Sequence, residues 1–386
     1  MSALPAAVEN LVIGGGPAGA MAAMRLAEAG RSVTLIEKEH GPHDKVCGEF
    51  LSREAVAYLH QAGVSPAHLG AAAIRMVRLA SGRRVVETAL PFRALSLSRR
   101  VLDAALLERA ASQGCDVKRG ACVARLTRDD DTWFVHLGNG EKLRARTVFL
   151  ACGKHDLHGW NRAGGVQGDL IGFKLHWRLM RSQTDALREA MELFLFSGGY
   201  GGLSLIEEDR ANLCLVVRRA VLRVVGGWNG LLAAIAAENR HLRQRLQGAE
   251  TTWARPLAIS PIPYGYLAER AGGLWRVGDQ AAVIPSFTGD GMSIALHSAA
   301  LAAQMYLSGK GTEEYSRTLR TQLGRPMRLA TWLSQAMVAA GGRRAAPPLL
   351  SLLPRAMQWI AAATRIPDQA LLIRMAHHGT SLTSAE

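Results

Sequence analysis

The eight residues 12–19, VIGGGPAG, constrain this chain more than any other stretch. Gly14, Gly16 and Gly19 form a GxGxxG loop, with Pro17 and Ala18 inside it. The loop follows a short apolar run (residues 9–13) and opens an alanine-rich stretch from Pro17 to Ala29 that Gly30 stops. A second apolar run, SVTLI, follows at 32–36. This spacing predicts strand, tight turn, helix, strand: one βαβ unit. In such a unit the first glycine permits the turn and the second lets the backbone approach a pyrophosphate. The third allows close helix–strand packing, with the helix N-terminus facing the phosphates. Glu37, with Lys38 beside it, ends the second strand 23 residues after Gly14. A carboxylate there can accept hydrogen bonds from a ribose 2′-OH. The alternative is a glycine-rich turn with an incidental surface acid.

The rest of the chain reads as an interrupted α/β pattern. Residues 74–90 alternate around a Ser-Gly turn and predict a hairpin, and 100–113 carry helical spacing. Residues 132–150 predict two strands about Asn139-Gly140. Longer strands follow at 168–178, 190–196 and 201–218, the last holding a Glu-Asp turn at 208–209. A third apolar run fills 274–284, and a second alanine-rich helix is expected from Gly291 to Tyr306. Beyond 312 the chain reads as basic helices punctuated by Pro326, Pro347, Pro348 and Pro354. A nucleotide-binding domain assembled from separated segments, with an antiparallel sheet inserted over its open side, accounts for this order.

Composition removes several classes. Apolar residues are 48% and charged residues 20%, the balance of a globular chain rather than a disordered one. Five cysteines, Cys47, Cys115, Cys122, Cys152 and Cys214, show no CxxC spacing, so no zinc site and no disulfide framework is expected. The formal charge is +14. The basic pairs are scattered and not interleaved with aromatics, so no nucleic-acid partner is expected. The N-terminus lacks a signal-peptide pattern, and no uncharged apolar run reaches the length of a membrane span, which suggests a cytoplasmic protein.

The stretch WRVGDQAAVIPSFTGDGMSIAL (275–296) carries a second fingerprint. Asp279 could hold a ribityl hydroxyl. After Pro285 and Gly289, a helix opening at Gly291 and Met292 would aim its amides at the pyrimidine edge of a flavin. The pattern resembles the second FAD motif of glutathione-reductase-type flavoproteins. KVCGE (45–49) resembles the Lys-x-Cys-Gly segment that geranylgeranyl-reductase-like flavoproteins hold beside the flavin, which places Cys47 and Gly48 there. In SLSRRVLD (96–103), Arg99 falls where these reductases and the related aromatic hydroxylases touch the FAD diphosphate–ribose region. Val123 falls where the family pairs its backbone with the adenine. The chain departs from each well-known branch. Ala151-Cys152-Gly153 stands where the hydroxylases have Ala-Asp-Gly. The aromatic Phe-Pro motif of the prenyl reductases and the WxWxIP motif of the halogenases are missing.

The resemblance implies a Rossmann-like FAD-binding domain built from segments 1–73, 96–165 and 266–320. A substrate hairpin at 74–95 and a substrate-binding antiparallel sheet at 166–265 are inserted, and a helical region follows at 321–386. It implies an FAD-dependent oxidoreductase. A monooxygenase hydroxylating an aromatic, polyketide or lipid-like substrate is read first, and a reductase of an isolated C=C bond second. A flavin-holding or membrane-surface protein without turnover is the third reading. The electron donor is NADPH, NADH or a separate reductase or carrier. Cys47 is either a redox thiol beside the flavin or a small filler. Lys45 either reaches the cofactor or is solvated. His176 is either a general acid or a hydrogen-bonded sheet residue. Tyr264 and Tyr266 are pocket or core residues. His377-His378 reads as a solvated tail. The apolar stretch 347–364 is either a packed helical pair or a greasy patch admitting a lipid-like substrate or contacting a membrane.

Overall fold

The computed structural model describes residues 6–352 and 354–373. The His377-His378 pair lies outside them. The strand Ala6–Ile13, the helix Pro17–Glu28 and the strand Val33–Glu37 form the expected βαβ unit, its two strands parallel with Val12 opposite Leu35. Val33–Glu37 is buried at every position, as a strand covered on both faces must be. Asp116–Arg119, Lys142–Leu150 and the two residues Trp275–Arg276 join this sheet in parallel. Val123–Asp129 and Thr132–Leu137 extend it as an antiparallel meander. The first sheet is thus assembled from strands distant in sequence, as the interrupted pattern required.

The second sheet holds the expected hairpin, Ala72–Ser81 with Arg84–Ser96. It continues through Glu189–Phe196, Gly199–Leu205, Ala211–Arg218 and Leu170–Arg178. These pairings are antiparallel except one: Ala72–Ser81 runs parallel to Glu189–Phe196. The architecture is a mixed α/β FAD-binding fold: a parallel sheet from discontinuous strands, a largely antiparallel second sheet and C-terminal helices.

Two segments carry local constraints. The apolar run 274–284 yields only two strand residues before a single turn at Gly278–Gln280. Gly278 has φ +61°, and a Cβ there would sit 2.9 Å from the Ala18 side chain. The chain must therefore leave the strand where the first helix passes. Pro326 does not interrupt its helix. Thr312–Val338 runs through it for 27 residues, and the buried ring shares a small apolar crevice with Ile294, Leu323 and Ile366. Packing there offsets the lost backbone bond. Pro347 and Pro348 fall inside the helix Ala340–Leu352, while Pro354 opens the helix Pro354–Ala363, where its missing N–H is harmless.

The main core forms between two alanine-rich helices, Pro17–Glu28 and Gly291–Leu307. Ala20, Ala22 and Ala23 on one, and Ala299, Ala302 and Ala303 on the other, are fully buried, and their small side chains let the backbones approach. The second sheet is tied to its covering helix by charge. Glu192, fully buried, accepts bonds from Arg245 (2.8 and 3.0 Å) and from Arg78 (3.1 Å), with the His241 ring 3.0 Å away. Burial alone would raise its pKa, but His241 and Arg245 outweigh burial and hold it at about 2.

Removing one member of a buried ionic cluster leaves its partners uncompensated. Glu192→Gln is expected to lose roughly 3 kcal/mol of folding stability at pH 7 by urea denaturation. Because the folded pKa lies below the unfolded value, this contribution is complete above pH ~4.5 and fades toward pH 2. The gap between variant and wild type therefore narrows at pH 3. A gap that is constant with pH refutes the assignment.

Candidate functional site

The glycine loop is held by contacts only glycine allows. Gly14 has φ +107°, and a Cβ there would lie 2.4 Å from the Ala151 carbonyl oxygen. A Cβ on Gly19 would lie 1.8 Å from the carbonyl oxygen of Gly14, so the helix Pro17–Glu28 sits directly on the turn. Gly16 faces outward, with the Arg99 guanidinium as its nearest neighbour. The Gly15 N–H donates to Glu37 Oε2 at 2.7 Å and the Glu39 N–H to Glu37 Oε1 at 3.1 Å. The carboxylate that ends the second strand is thereby oriented by two backbone amides.

These residues border a cleft of about 760 Å³ between the two sheets. Gly14, Gly16, Pro17, Ala18, Glu37, Lys38, Lys45, Cys47, Gly48, Arg99, Val123, Asp279, Gly289, Gly291 and Met292 all line it. Gly19 and Pro285 stand behind the wall. Two helix N-termini, at Pro17 and Gly291, open on the cleft, and neither carries a side-chain cap. Uncapped amides keep their donors for a ligand and favour negative charge. A cleft with two such ends, a glycine approach and an oriented carboxylate fits FAD, with the pyrophosphate at one helix end and the isoalloxazine edge at the other.

Charged partners fix the surrounding side chains. Arg99 makes two bonds of 2.7 Å to Asp103, which also takes Lys45 at 3.1 Å. Burial would raise Asp103, but Arg99 and Lys45 outweigh it and hold the carboxyl below its usual range. Lys45 is therefore an ion-paired residue on the cleft wall, not a free loop lysine. Asp279 pairs with Lys154 at 3.0 Å, and this contact lifts the Lys154 pKa against its burial. Burial pushes the Cys152 thiol up to about 12, so a neutral group stands where the hydroxylases have Asp.

His176 does not line the cleft. It is fully buried in the second sheet, its Nε2 2.9 Å from Glu49 Oε2 and its ring 4.6 Å from Trp253. Lys174, two residues earlier on the same face, bonds Glu49 and also Asp44 (3.3 Å). Asp44, Glu49 and His176 converge as metal ligands might, but the Lys174 ammonium already supplies the cation there. Burial would raise the Glu49 pKa, and Lys174 and His176 reverse that, keeping the carboxylate charged. Glu49 also accepts from the Arg99 N–H at 2.8 Å, and its own backbone holds φ +58°. Sequence reading reached the KVCGE segment but missed that its last residue, with Lys174, anchors the loop. The i, i+2 spacing of Lys174 and His176 on a buried strand was the available signal.

At the far end the cleft becomes apolar. Leu79, Leu193, Leu195 and Val216 of the second sheet face Met337, Leu350 and Met357 of the C-terminal helices. Tyr264 lines this end and Tyr266 does not. Burial lifts Tyr264 well above the ordinary phenol value, so it stands neutral.

Comparison with known proteins agrees with this geometry. The FAD binding domain family matches residues 7–151. A menaquinone reductase of Mycolicibacterium smegmatis is 27% identical over 81% of this chain and 79% of its own length. Digeranylgeranylglycerophospholipid reductase 2 of Methanopyrus kandleri is 27% identical over 76% of each. Among solved structures, the flavin-dependent brominase Bmp2 superposes with a TM-score of 0.76 at 16% identity, covering 95% of this chain and 96% of its own. The chain is an FAD-dependent oxidoreductase with an FAD-binding domain, related to the menaquinone and geranylgeranyl reductases and sharing the fold of the flavin halogenases.

Proposed function

We propose that this oxidoreductase saturates a carbon–carbon double bond in the isoprenoid chain of a lipid or quinone. The observation that carries the reading is the polarity of the cleft. Charged side chains crowd its glycine-loop end, while the far end is walled by leucine, methionine and valine, with Arg365 the charged residue near it. Such a wall suits an uncharged prenyl chain, which gains from burial along its length. The two named reductases among the relatives, each matching more than three quarters of this chain, support the same reading. They favour the reductase over the hydroxylase that the sequence put first.

When bound and reduced, FAD would supply a hydride to one carbon of the double bond, a proton from solvent would complete the other, and the chain supplies binding and orientation. Arg99, Lys45 and the free amides of the helix turn that follows Pro17 would hold the diphosphate, and Glu37 the ribose. Asp279, steadied by Lys154, would face the ribityl chain, and the Gly291 amides the pyrimidine edge. Tyr264, held neutral by burial, adds no charge to the far end of the cleft. The donor that reduces the flavin is NADPH, NADH or a separate electron carrier.

Two outcomes are expected. Arg99→Ala removes the guanidinium beside Gly16 while Lys45 still neutralises Asp103, so the variant folds but binds FAD at least about tenfold more weakly. Titration of the stripped protein with FAD measures this, and unchanged affinity would remove Arg99 from the site. Under anaerobic conditions with dithionite as reductant, the wild-type protein should convert menaquinone or a digeranylgeranyl lipid to a product whose prenyl chain carries two added hydrogens, which persist after the quinone ring is reoxidised in air. A product that contains an added oxygen atom and forms only in air would overturn the reductase reading.

A further inference from the structure

Residues 315–367 contain eight arginines and not one Asp, Glu or Lys. The nearest acids on either side are engaged: Glu313 accepts from the Ala271 N–H, Glu314 pairs with Lys310, and Asp368 pairs with Arg53. On the helix Thr312–Val338, Arg317, Arg320, Arg325 and Arg328 are exposed, and none is ion-paired to a described residue. Trp332 stands one turn beyond Arg328, 63% exposed. Leu349 and Trp359, on the next two helices, are 55% and 62% exposed. Trp332 and Leu349 also line the cleft, so these large apolar side chains mark its mouth. Among the described residues, no helix is long and apolar enough to cross a membrane.

We propose that the outer faces of the helices Thr312–Val338, Ala340–Leu352 and Pro354–Ala363 dock on an anionic lipid surface, with the apolar end of the cleft opening into it. The charge favours that occupant. An unbroken cationic segment is attracted by anionic headgroups and repels a second copy of itself. The side chains favour it too, because tryptophan is the residue best suited to the headgroup boundary, with an apolar body and one polar N–H. Helices that carry apolar and basic residues side by side lie on a bilayer rather than across it. The surface stands on charge and exposure alone. Its purpose, passing a lipid chain from bilayer to cleft without crossing water, rests on the reductase reading.

The test is co-sedimentation of the full-length, FAD-loaded protein with phosphatidylcholine vesicles, with and without phosphatidylglycerol. Binding is expected only with phosphatidylglycerol and is expected to weaken as salt rises. Arg325→Glu/Arg328→Glu should weaken it at least about tenfold, and Trp332→Ser/Trp359→Ser should weaken it severalfold. Circular dichroism and thermal midpoints matching wild type would show that both variants fold. Equal binding to both vesicle types, no binding to either, or variants that bind as wild type would overturn the proposal. So would a concentration-dependent dimer that the tryptophan substitutions dissolve, which would assign the surface to a second copy. The arginine variant should retain full activity on detergent-dispersed substrate. Vesicle binding without any reductase activity would strike the proposed function and leave this surface standing.

Discussion

The contact of Gly19 with the carbonyl of Gly14 is the constraint on which the rest depends. No side chain fits between them, so the first helix is seated on the turn it leaves. This seating opens the uncapped helix turn that begins at Pro17 onto the cleft and brings Ala18 against Gly278. Gly278 must in turn adopt φ +61°, which ends the strand at Arg276 and swings Asp279 toward Lys154. The second uncapped helix end, at Gly291, follows a few residues later. One absent Cβ thereby positions both ends of the site, because rigid elements transmit a fixed contact over their whole length.

The loop that closes the site is fixed differently, by buried charge. Glu49 is fully buried and held in a conformation that a non-glycine residue adopts only under constraint. Its carboxylate joins three regions: the loop itself, the second sheet through Lys174 and His176, and the start of the helix Arg99–Ser112 through the Arg99 amide. The Lys174 ammonium, the His176 ring and a backbone donor offset the desolvation of that carboxylate, and any one of them lost would leave a costly residue behind. The KVCGE segment is therefore set relative to both sheets at once. Cys47 shares this anchoring: its carbonyl accepts from Asn212 of the second sheet and its sulfur from the Glu49 N–H.

What could be read from the sequence follows from the range of the interactions. The βαβ unit, the hairpins and the two alanine-rich helices depend on neighbours within a few residues, so spacing revealed them. The residues that line the cleft beside the glycine loop could be grouped because they sit at fixed offsets from glycines that the backbone demands. Glu49 with Lys174, Lys154 with Asp279, and Glu192 with Arg245 could not, because each joins segments that only the tertiary fold brings together. Pro326 misled for the same reason. Its local preference is to break a helix, and an apolar crevice built from distant segments overrides it.

The two ends of the cleft are also coupled mechanically through Arg365. This residue follows the helix Pro354–Ala363, lines the cleft, and lies 3.8 Å from the centre of the Phe92 ring. Its guanidinium bonds Glu54 at 2.7 Å and Asp290 at 3.1 Å. Asp290 is the residue from which the helix Gly291–Leu307 starts, a position where the helix dipole favours a negative charge. Burial nevertheless raises its carboxyl to about 7, because Arg365 is shared with Glu54 and cannot fully offset the loss of water. The helix that opens on the cleft at Gly291 and the segment that borders its apolar end thus meet at one buried cation. Displacing the C-terminal helices would expose Asp290 and Glu54 to each other without their common partner. Like charges left unpaired in an apolar interior are costly, so the fold ties the presence of the greasy wall to the integrity of the helix end that faces the cofactor.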